Sequence, residues 1–221
     1  HDSGIPVSFL TGKPSFAASE NIKTVGIDNP HIADGGATIF NPMQNQIIHS
    51  ENIDKKDILN LLNAIPKNTY VNIFSTKDYF LEKSLENDFT KKYAKFVGKY
   101  PKIVNDVKKI VEEEAIPKIN IYAFSESEIE KIAKSIGRLL NSITLNWSTN
   151  PFISPVKVAV IANKKVSKRT GVEYLAKYLG VPLENVLGVG DTIHDWDFME
   201  TCGYKAAMGN STEELKKIIN I

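Results

Sequence analysis

Leu187-Gly-Val-Gly-Asp191-Thr-Ile-His-Asp195, followed closely by Ala207-Met-Gly-Asn210, is the stretch whose reading decides the fold. A short apolar run ends in a glycine and an aspartate, and a second aspartate stands four residues on. The run predicts a buried strand, and the Gly-Asp pair predicts a sharp turn at its carboxyl end. In an open parallel α/β sheet, ligands bind at the carboxyl ends of the strands. Two carboxylates held there, with glycines leaving room, suit a hydrated Mg²⁺ that meets a substrate phosphate. Asp-rich turns after strands also occur with no function, so the weight of this stretch depends on what else falls in order along the chain.

Upstream of it, Thr170 to Leu179 predicts a helix with Val172, Leu175, Ala176 and Leu179 inward, stopped by Gly180. Downstream come a helix around Phe198, a short strand from Tyr204 to Met208, and a final helix opened by a Ser211-x-x-Glu214 capping box. At the other end of the chain, Ile5-Pro-Val-Ser-Phe-Leu10 predicts a strand and Thr11-Gly-Lys-Pro14 a turn. Buried parallel strands usually follow another βα unit, so the expectation is that a preceding piece is missing. A helix over 15–24 follows. Paired glycines in Asp34-Gly35-Gly36 then bend the chain between two short strands, Asn41 to Asn45 turns it, and Gln46 to His49 continues as a strand.

Between about Asn41 and Ala159 the pattern changes. Asp54 to Asn63 predicts a helix and Tyr70 to Phe74 a strand, and Phe80 to Glu114 predicts mostly helix with a break at Pro101. Lys118 to Phe124 alternates as a strand, and Ser125-x-x-Glu128 opens a helix. Ile143 to Trp147 and Val156 to Ile161 are further strands. The sequence thus predicts a discontinuous α/β core, residues 1–41 and 160–221, carrying an inserted α+β layer over 42–159.

Composition narrows the function classes. The 221 residues, 42% of them hydrophobic, suffice for one large domain or a core with an insertion. Lysine and arginine (27) nearly balance aspartate and glutamate (26), which argues against nucleic acid or an anionic membrane as partner. The longest apolar run, Val158 to Ala162, is far too short to span a bilayer, and no secretion signal is visible, so a cytoplasmic location is expected. The single cysteine, Cys202, excludes an internal disulfide and predicts small-residue packing.

Four features fall in order: Thr11 after an early strand, Lys168 at the start of a helix past the insertion, Asp191 and Asp195 after a second core strand, and Gly209-Asn210 after a third. This order resembles the haloacid dehalogenase (HAD) superfamily, and most closely its Cof-type sugar-phosphatase branch with a large α/β cap. Gly4 to Pro14 resembles the second motif of that family, Val166 to Gly180 the third, Leu187 to Glu214 the fourth, and Ile32 to Ile39 the core-to-cap crossover. The resemblance implies a Rossmann-like core with an inserted cap that sets specificity, Mg²⁺ as cofactor, and a small phosphorylated metabolite as partner. It implies that Thr11 donates its hydroxyl and an N–H to the transferring phosphoryl oxygens, with Gly12 and Lys13 in the same phosphate loop. Lys168 would neutralise that group, Asp191 would bind the metal directly, Asp195 would bind it through water or orient its neighbours, and Asn210 would contact the phosphate region or the cap.

The departures are as informative. The family's first motif, an Asp-x-Asp-Gly-Thr run carrying the nucleophile and the general acid/base, has no counterpart here; Asp2 and Asp34 lie on other elements. The expectation is that roughly one βα unit of about thirty residues is lacking. A separately supplied piece, or a non-catalytic binding or regulatory relative, are the alternatives, and a phosphomutase would share the same residues. Lys13 replaces the family's usual arginine, Gly35 a frequent asparagine, and His194 a common asparagine. Tyr79, Phe80, Trp147 and Phe152 could stack on a sugar, although aromatics in a small layer are more often core.

Overall fold

Helix signals and strand alternation in the sequence lay out the chain, which a computed structural model describes over residues 4–219, the side chain of Arg138 apart. In order come α1 (Ser15–Val25), β1 (His31–Ala33), β2 (Thr38–Asn41), β3 (Gln46–Ser50), α2 (Lys55–Ala64), β4 (Tyr70–Phe74), β5 (Tyr79–Glu82), α3 (Asp88–Val97), β6 (Lys102–Val104), α4 (Val107–Glu113), β7 (Lys118–Ala123), α5 (Glu126–Ile136), β8 (Ile143–Thr149) and β9 (Lys157–Asn163). They are followed by α6 (Lys168–Leu179), β10 (Leu187–Gly190), α7 (Trp196–Met199), β11 (Tyr204–Ala207) and α8 (Glu213–Ile219). No helix among the described residues is long and apolar enough to cross a membrane.

The largest layer is a six-stranded mixed sheet in the order β6-β5-β4-β7-β9-β8. Its centre is β7, buried along its whole length, because alternate residues serve two different clusters. Ile119 and Ile121 point into one, with Ile58 and Leu61 of α2 and Ile132 and Ile136 of α5. Tyr122 points into the other, with Tyr70, Phe74, Tyr79 and Tyr93, and α1 packs there through Phe16 and Ala17. Each fully buried isoleucine contributes about 1.5–3 kcal/mol by leaving water. A third cluster, separate from the sheet, joins Ile32 and Ile39 to Val172, Leu175, Phe198, Met199 and Leu215.

Several expectations are corrected. Phe80 to Glu114 carries the expected helices α3 and α4 on either side of Pro101, but strands stand at its start and between them. Tyr79 to Glu82 folds back on β4 as an antiparallel strand, and Lys102 to Val104 pairs parallel beside it. The aromatic and branched residues there find a buried sheet, which outweighs the lysine- and glutamate-rich context. Gln46 to Ser50 pairs with β2, not with the large sheet, and His49 stacks on Tyr174 of α6, with centroids 4.1 Å apart. At the other expected boundary, β9 is not divided at residue 160 but runs to Asn163 in the large sheet. Ser211 does not cap the last helix: its buried hydroxyl has no hydrogen-bond partner, and α8 begins at Glu213.

The two runs expected to be buried strands of the core are also corrected. Residues 5–9 are extended but exposed, with Ile5 at 66%, and join the fold on one side only. Ile32 N–H donates to the Phe9 carbonyl (2.8 Å) and Thr11 N–H to the Ile32 carbonyl (3.0 Å), a short parallel rung. β10 pairs parallel with β11 and buries only its glycines, while Leu187 and Val189 are more than half exposed. Asp2 lies outside the described residues.

Candidate active site

Glycines set the frame of the site. The turn Asp34-Gly35-Gly36 between β1 and β2 holds the loop after residue 10: Asp34 N–H donates to the Lys13 carbonyl and Gly35 N–H to the Thr11 carbonyl, each at 3.0 Å. On its other side the same turn meets the start of α6. Gly36 has φ +116°, and a Cβ there would sit 1.9 Å from the Ser167 carbonyl oxygen. Gly171 of α6 faces Gly36 with similarly little room: a Cβ on Gly171 would sit 2.9 Å from the Gly36 Cα. Ser167 and Thr170 cap α6 reciprocally, each side chain accepting the other's backbone N–H. This fixes Lys168 as the first helical residue.

Lys168 Nζ lies 2.5 Å from Asp195 Oδ1. The other oxygen, Oδ2, accepts N–H bonds from Asp191 (3.0 Å) and Thr192 (3.2 Å). Asp195 thus accepts three hydrogen bonds and is buried, and Gly190 is required beneath it, since a Cβ there would come within 2.6 Å of the Asp195 Cβ. Burial alone would raise the Asp195 pKa, but the Lys168 ammonium and the two amides more than reverse this and hold it below the usual carboxylate range. Asp191 behaves oppositely: its contact with the Asp195 carboxylate, then partial burial, push its pKa up. Its side chain is exposed at the end of β10.

Of the residues singled out in the sequence, Lys168, Asp191 and Asp195 meet directly. Thr11, Gly12 and Lys13 belong to the same frame through the Asp34–Gly36 turn. Thr11 Oγ1 accepts the Lys13 N–H (3.1 Å), leaving its own proton to donate. Asn210 and His194 are exposed, Asn210 in the loop between β11 and α8. Tyr79 and Phe80 are core; Trp147 packs on the isoleucine cluster, and Phe152, 69% exposed, leans on Phe96.

One functional feature escaped the sequence reading. Lys118, the first residue of β7, is 3% exposed, with its Nζ 2.7 Å from Asp34 Oδ1 and 3.0 Å from the Gly12 carbonyl. The Phe74 ring lies 4.9 Å from the ammonium. The large sheet is thereby bonded to the Thr11–Lys13 loop through a buried ion pair. A lysine at the head of an alternating strand carries no signal for this. The only hint was Asp34 itself, an aspartate before two glycines, which adopts φ +54°. Between the loop and the sheet lies a cavity of about 360 Å³, with Thr11, Lys13, Lys118, Asn120 and Phe96 among its walls.

Among the described residues no group of three or more His, Cys, Asp and Glu side chains converges; the oxygen donors at this site are the carboxylates of Asp191 and Asp195. Asp195 already accepts from Lys168 and two backbone amides, whereas the exposed Asp191 carboxylate is a hard oxygen donor. One free carboxylate with a second behind it fits Mg²⁺, which keeps most of its water and takes few protein ligands.

The chain belongs to the haloacid dehalogenase-like hydrolases, whose family model matches residues 1–221. Its relatives include the Bacillus subtilis protein named phosphatase YwpJ, 27% identical, with 97% of this chain and 81% of that one covered. A protein of Methanobrevibacter smithii named phosphoglycolate phosphatase is 26% identical, with 98% and 76% covered. Among solved structures, a HAD subclass IIB sugar phosphatase, BT4131, superposes with a TM-score of 0.72 at 19% identity, covering 98% of this chain and 79% of the other, a likeness of fold. At the level of the family, then, this is a hydrolase related to phosphatases.

Proposed function

We propose that this hydrolase is a Mg²⁺-dependent phosphomonoesterase of the cytoplasm that acts on a small phosphorylated metabolite of the sugar-phosphate class. The carrying observation is the clasp of Lys168 on Asp195, with Asp191 left free beside it, mounted on the same glycine turn that holds Thr11. In this reading the Thr11 hydroxyl and the start of α1 face the phosphoryl oxygens, because a helix N-terminus and a free donor both favour an anion. Lys168 brings a positive charge that its bond to Asp195 keeps in one place. Asp191 holds the metal, with Asp195 behind it orienting the backbone of residues 191 and 192. Bound there, Mg²⁺ would offset charge on the phosphoryl group. The inserted layer closes the cavity above the loop and excludes bulk water.

The nucleophile in this reading is an aspartate on a strand upstream of His1, forming an aspartyl-phosphate that water then hydrolyses. Two features support that placement. The 221 residues contain no Asp-x-Asp-Gly-Thr run. In addition, residues 5–9 and β10 each leave apolar side chains exposed, Ile5, Val7 and Phe9 on one and Leu187 and Val189 on the other. The test is phosphate release from para-nitrophenyl phosphate, by the 221-residue chain and by the chain extended through the upstream βα unit in frame. Only the extended chain should turn over, with Mg²⁺ required, and Lys168→Met should lower its kcat by about 100-fold or more. Metal-independent turnover, or turnover unaffected by Asp191→Asn, would overturn the assignment.

A further inference from the structure

Three successive carbonyls in the loop after residue 10 are each tied by a donor. Gly35 N–H holds the Thr11 carbonyl and Asp34 N–H the Lys13 carbonyl, both at 3.0 Å and both from the neighbouring turn. The middle carbonyl, on Gly12, has a donor from far away: Lys118 Nζ, 3.0 Å distant in space and 106 positions along the chain. That ammonium is itself held, 2.7 Å from Asp34 Oδ1 and 4.9 Å from the centre of the Phe74 ring. The other Asp34 oxygen accepts the Thr38 hydroxyl at 3.0 Å. A trans peptide carries its C=O and N–H on opposite sides. Holding the Gly12 carbonyl on Lys118 thus sends the Lys13 N–H the other way, where it meets Thr11 Oγ1 at 3.1 Å. That bond occupies one lone pair of the hydroxyl, and the hydroxyl proton turns away from it. The ammonium on the carbonyl also polarises the peptide, which makes its N–H a stronger donor.

We infer that Lys118 is a positioning residue: through the Gly12–Lys13 peptide it orients the Thr11 hydroxyl toward a bound phosphoryl oxygen, so that docking of the large sheet on the loop completes the phosphate site. The inference rests on the phosphatase reading for the role of Thr11. All four residues of this relay line the same cavity of about 360 Å³, which puts the hydroxyl where an anion can reach it. Lys118 is needed because Gly12 itself does not fix the peptide. The Gly12 φ lies outside the left-handed region, and a Cβ there would meet nothing within 4 Å. Neither backbone conformation nor crowding therefore demands a glycine, and what glycine adds is freedom for the peptide to turn. Turned over, the peptide would withdraw its N–H from Thr11 and bring its carbonyl there instead. The carbonyl would then accept the hydroxyl proton that the phosphoryl oxygen needs.

The test separates holding the fold from orienting the hydroxyl. Lys118→Met combined with Asp34→Asn removes both charges of the ion pair, so neither is left buried alone. Asparagine also accepts the φ of +54° at position 34 as readily as aspartate. The probe is inorganic phosphate with Mg²⁺, its Kd measured by calorimetry. The double variant should bind it about tenfold or more weakly than the native chain, the loss of one hydrogen bond to a charged group. Thr11→Val should cost the native chain a similar factor, and should cost the double variant less than about twofold, because the hydroxyl is already misdirected there. A lysine that only holds the sheet on the loop gives another pattern: phosphate binding returns with stability, or the two losses multiply. Either result overturns the inference and leaves the phosphatase reading standing. A second measurement needs no variant. The Lys13 amide of the native chain should exchange with deuterium about tenfold or more slowly than an open loop amide, and rapid exchange would equally overturn the inference. If the native chain does not bind inorganic phosphate, the phosphatase reading falls and the inference with it.

Discussion

Gly36→Ala tests whether the turn between β1 and β2 positions the site or merely connects two strands. The new Cβ would lie 1.9 Å from the Ser167 carbonyl oxygen and 2.6 Å from its carbon. Ordinary contact is about 3.5 Å, so the start of α6 must recede by more than about 1 Å. Overpacking of this kind costs roughly 1–3 kcal/mol. Alanine at φ +116° adds roughly 1–3 kcal/mol of backbone strain. Gly35→Ala is the control. Its φ is +69° and a Cβ there meets nothing within 4 Å, so only the left-handed penalty of about 1–2 kcal/mol applies. For a chain of this size each kcal/mol moves Tm by about 2–4 °C. Thermal unfolding should therefore drop by about 4–24 °C for Gly36→Ala and by about 2–8 °C for Gly35→Ala. The second reading is local. Lys168 follows Ser167 directly and bonds Asp195 at 2.5 Å, so a recession of about 1 Å stretches the pair past hydrogen-bond range. Gly36→Ala should then weaken inorganic phosphate binding, and Gly35→Ala should not. Equal effects of the two substitutions on stability and on binding would refute the argument.

Two further perturbations probe the contacts that hold the loop. His31 is fully buried, its Nδ1 accepting the Phe9 N–H at 3.0 Å, and burial lowers its pKa. Because the unfolded chain binds that proton more readily, stability should be complete above about pH 6.5 and fall as pH drops through the depressed folded value; urea midpoints should show this slope in the native chain and a flatter one in His31→Gln. Lys118→Met leaves the Asp34 carboxylate, 1% exposed, without its cation, a loss of about 3–5 kcal/mol in thermal unfolding. Adding Asp34→Asn should recover much of it, and a single-variant loss below about 1 kcal/mol would mean that water already reaches the pair.

Much of the site was legible because its parts are local. The sequence places Lys168 at the start of a helix past the insertion, and the structure adds the reciprocal cap of Ser167 and Thr170 that fixes it there. The Gly190-Asp191 step likewise declares a tight turn with a carboxylate at its end. The pair Lys118 and Asp34 was not legible, because 84 positions along the chain separate two residues that meet only after the large sheet has docked on the loop. Asn120, in the cavity wall, was hidden for a related reason: period-two alternation predicts which face a residue takes, and says nothing about whether that face meets another layer or a cavity.

The two misread strands have one physical cause. Ile5 to Leu10 and Leu187 to Gly190 both carry the composition of strands flanked on two sides, and each is flanked here on one. β10 shows this most directly. Gly188 and Gly190 face α7 closely, where a Cβ on Gly188 would meet the Cys202 sulfur at 3.1 Å, so the helix side of the strand has no space for a larger residue. All the apolar bulk of β10 therefore stands on the opposite face, in Leu187 and Val189, where it is exposed. A strand that gives up side chains on its covered face and keeps them on its open one gains nothing from the arrangement until that open face is covered. Residues 5–9 beside β1 differ in that both faces are open, with Ile5, Val7 and Phe9 among the exposed residues. Composition alone thus reports the surroundings that suit a strand, and it could not show that Leu187 and Val189 stand exposed beside Asp191.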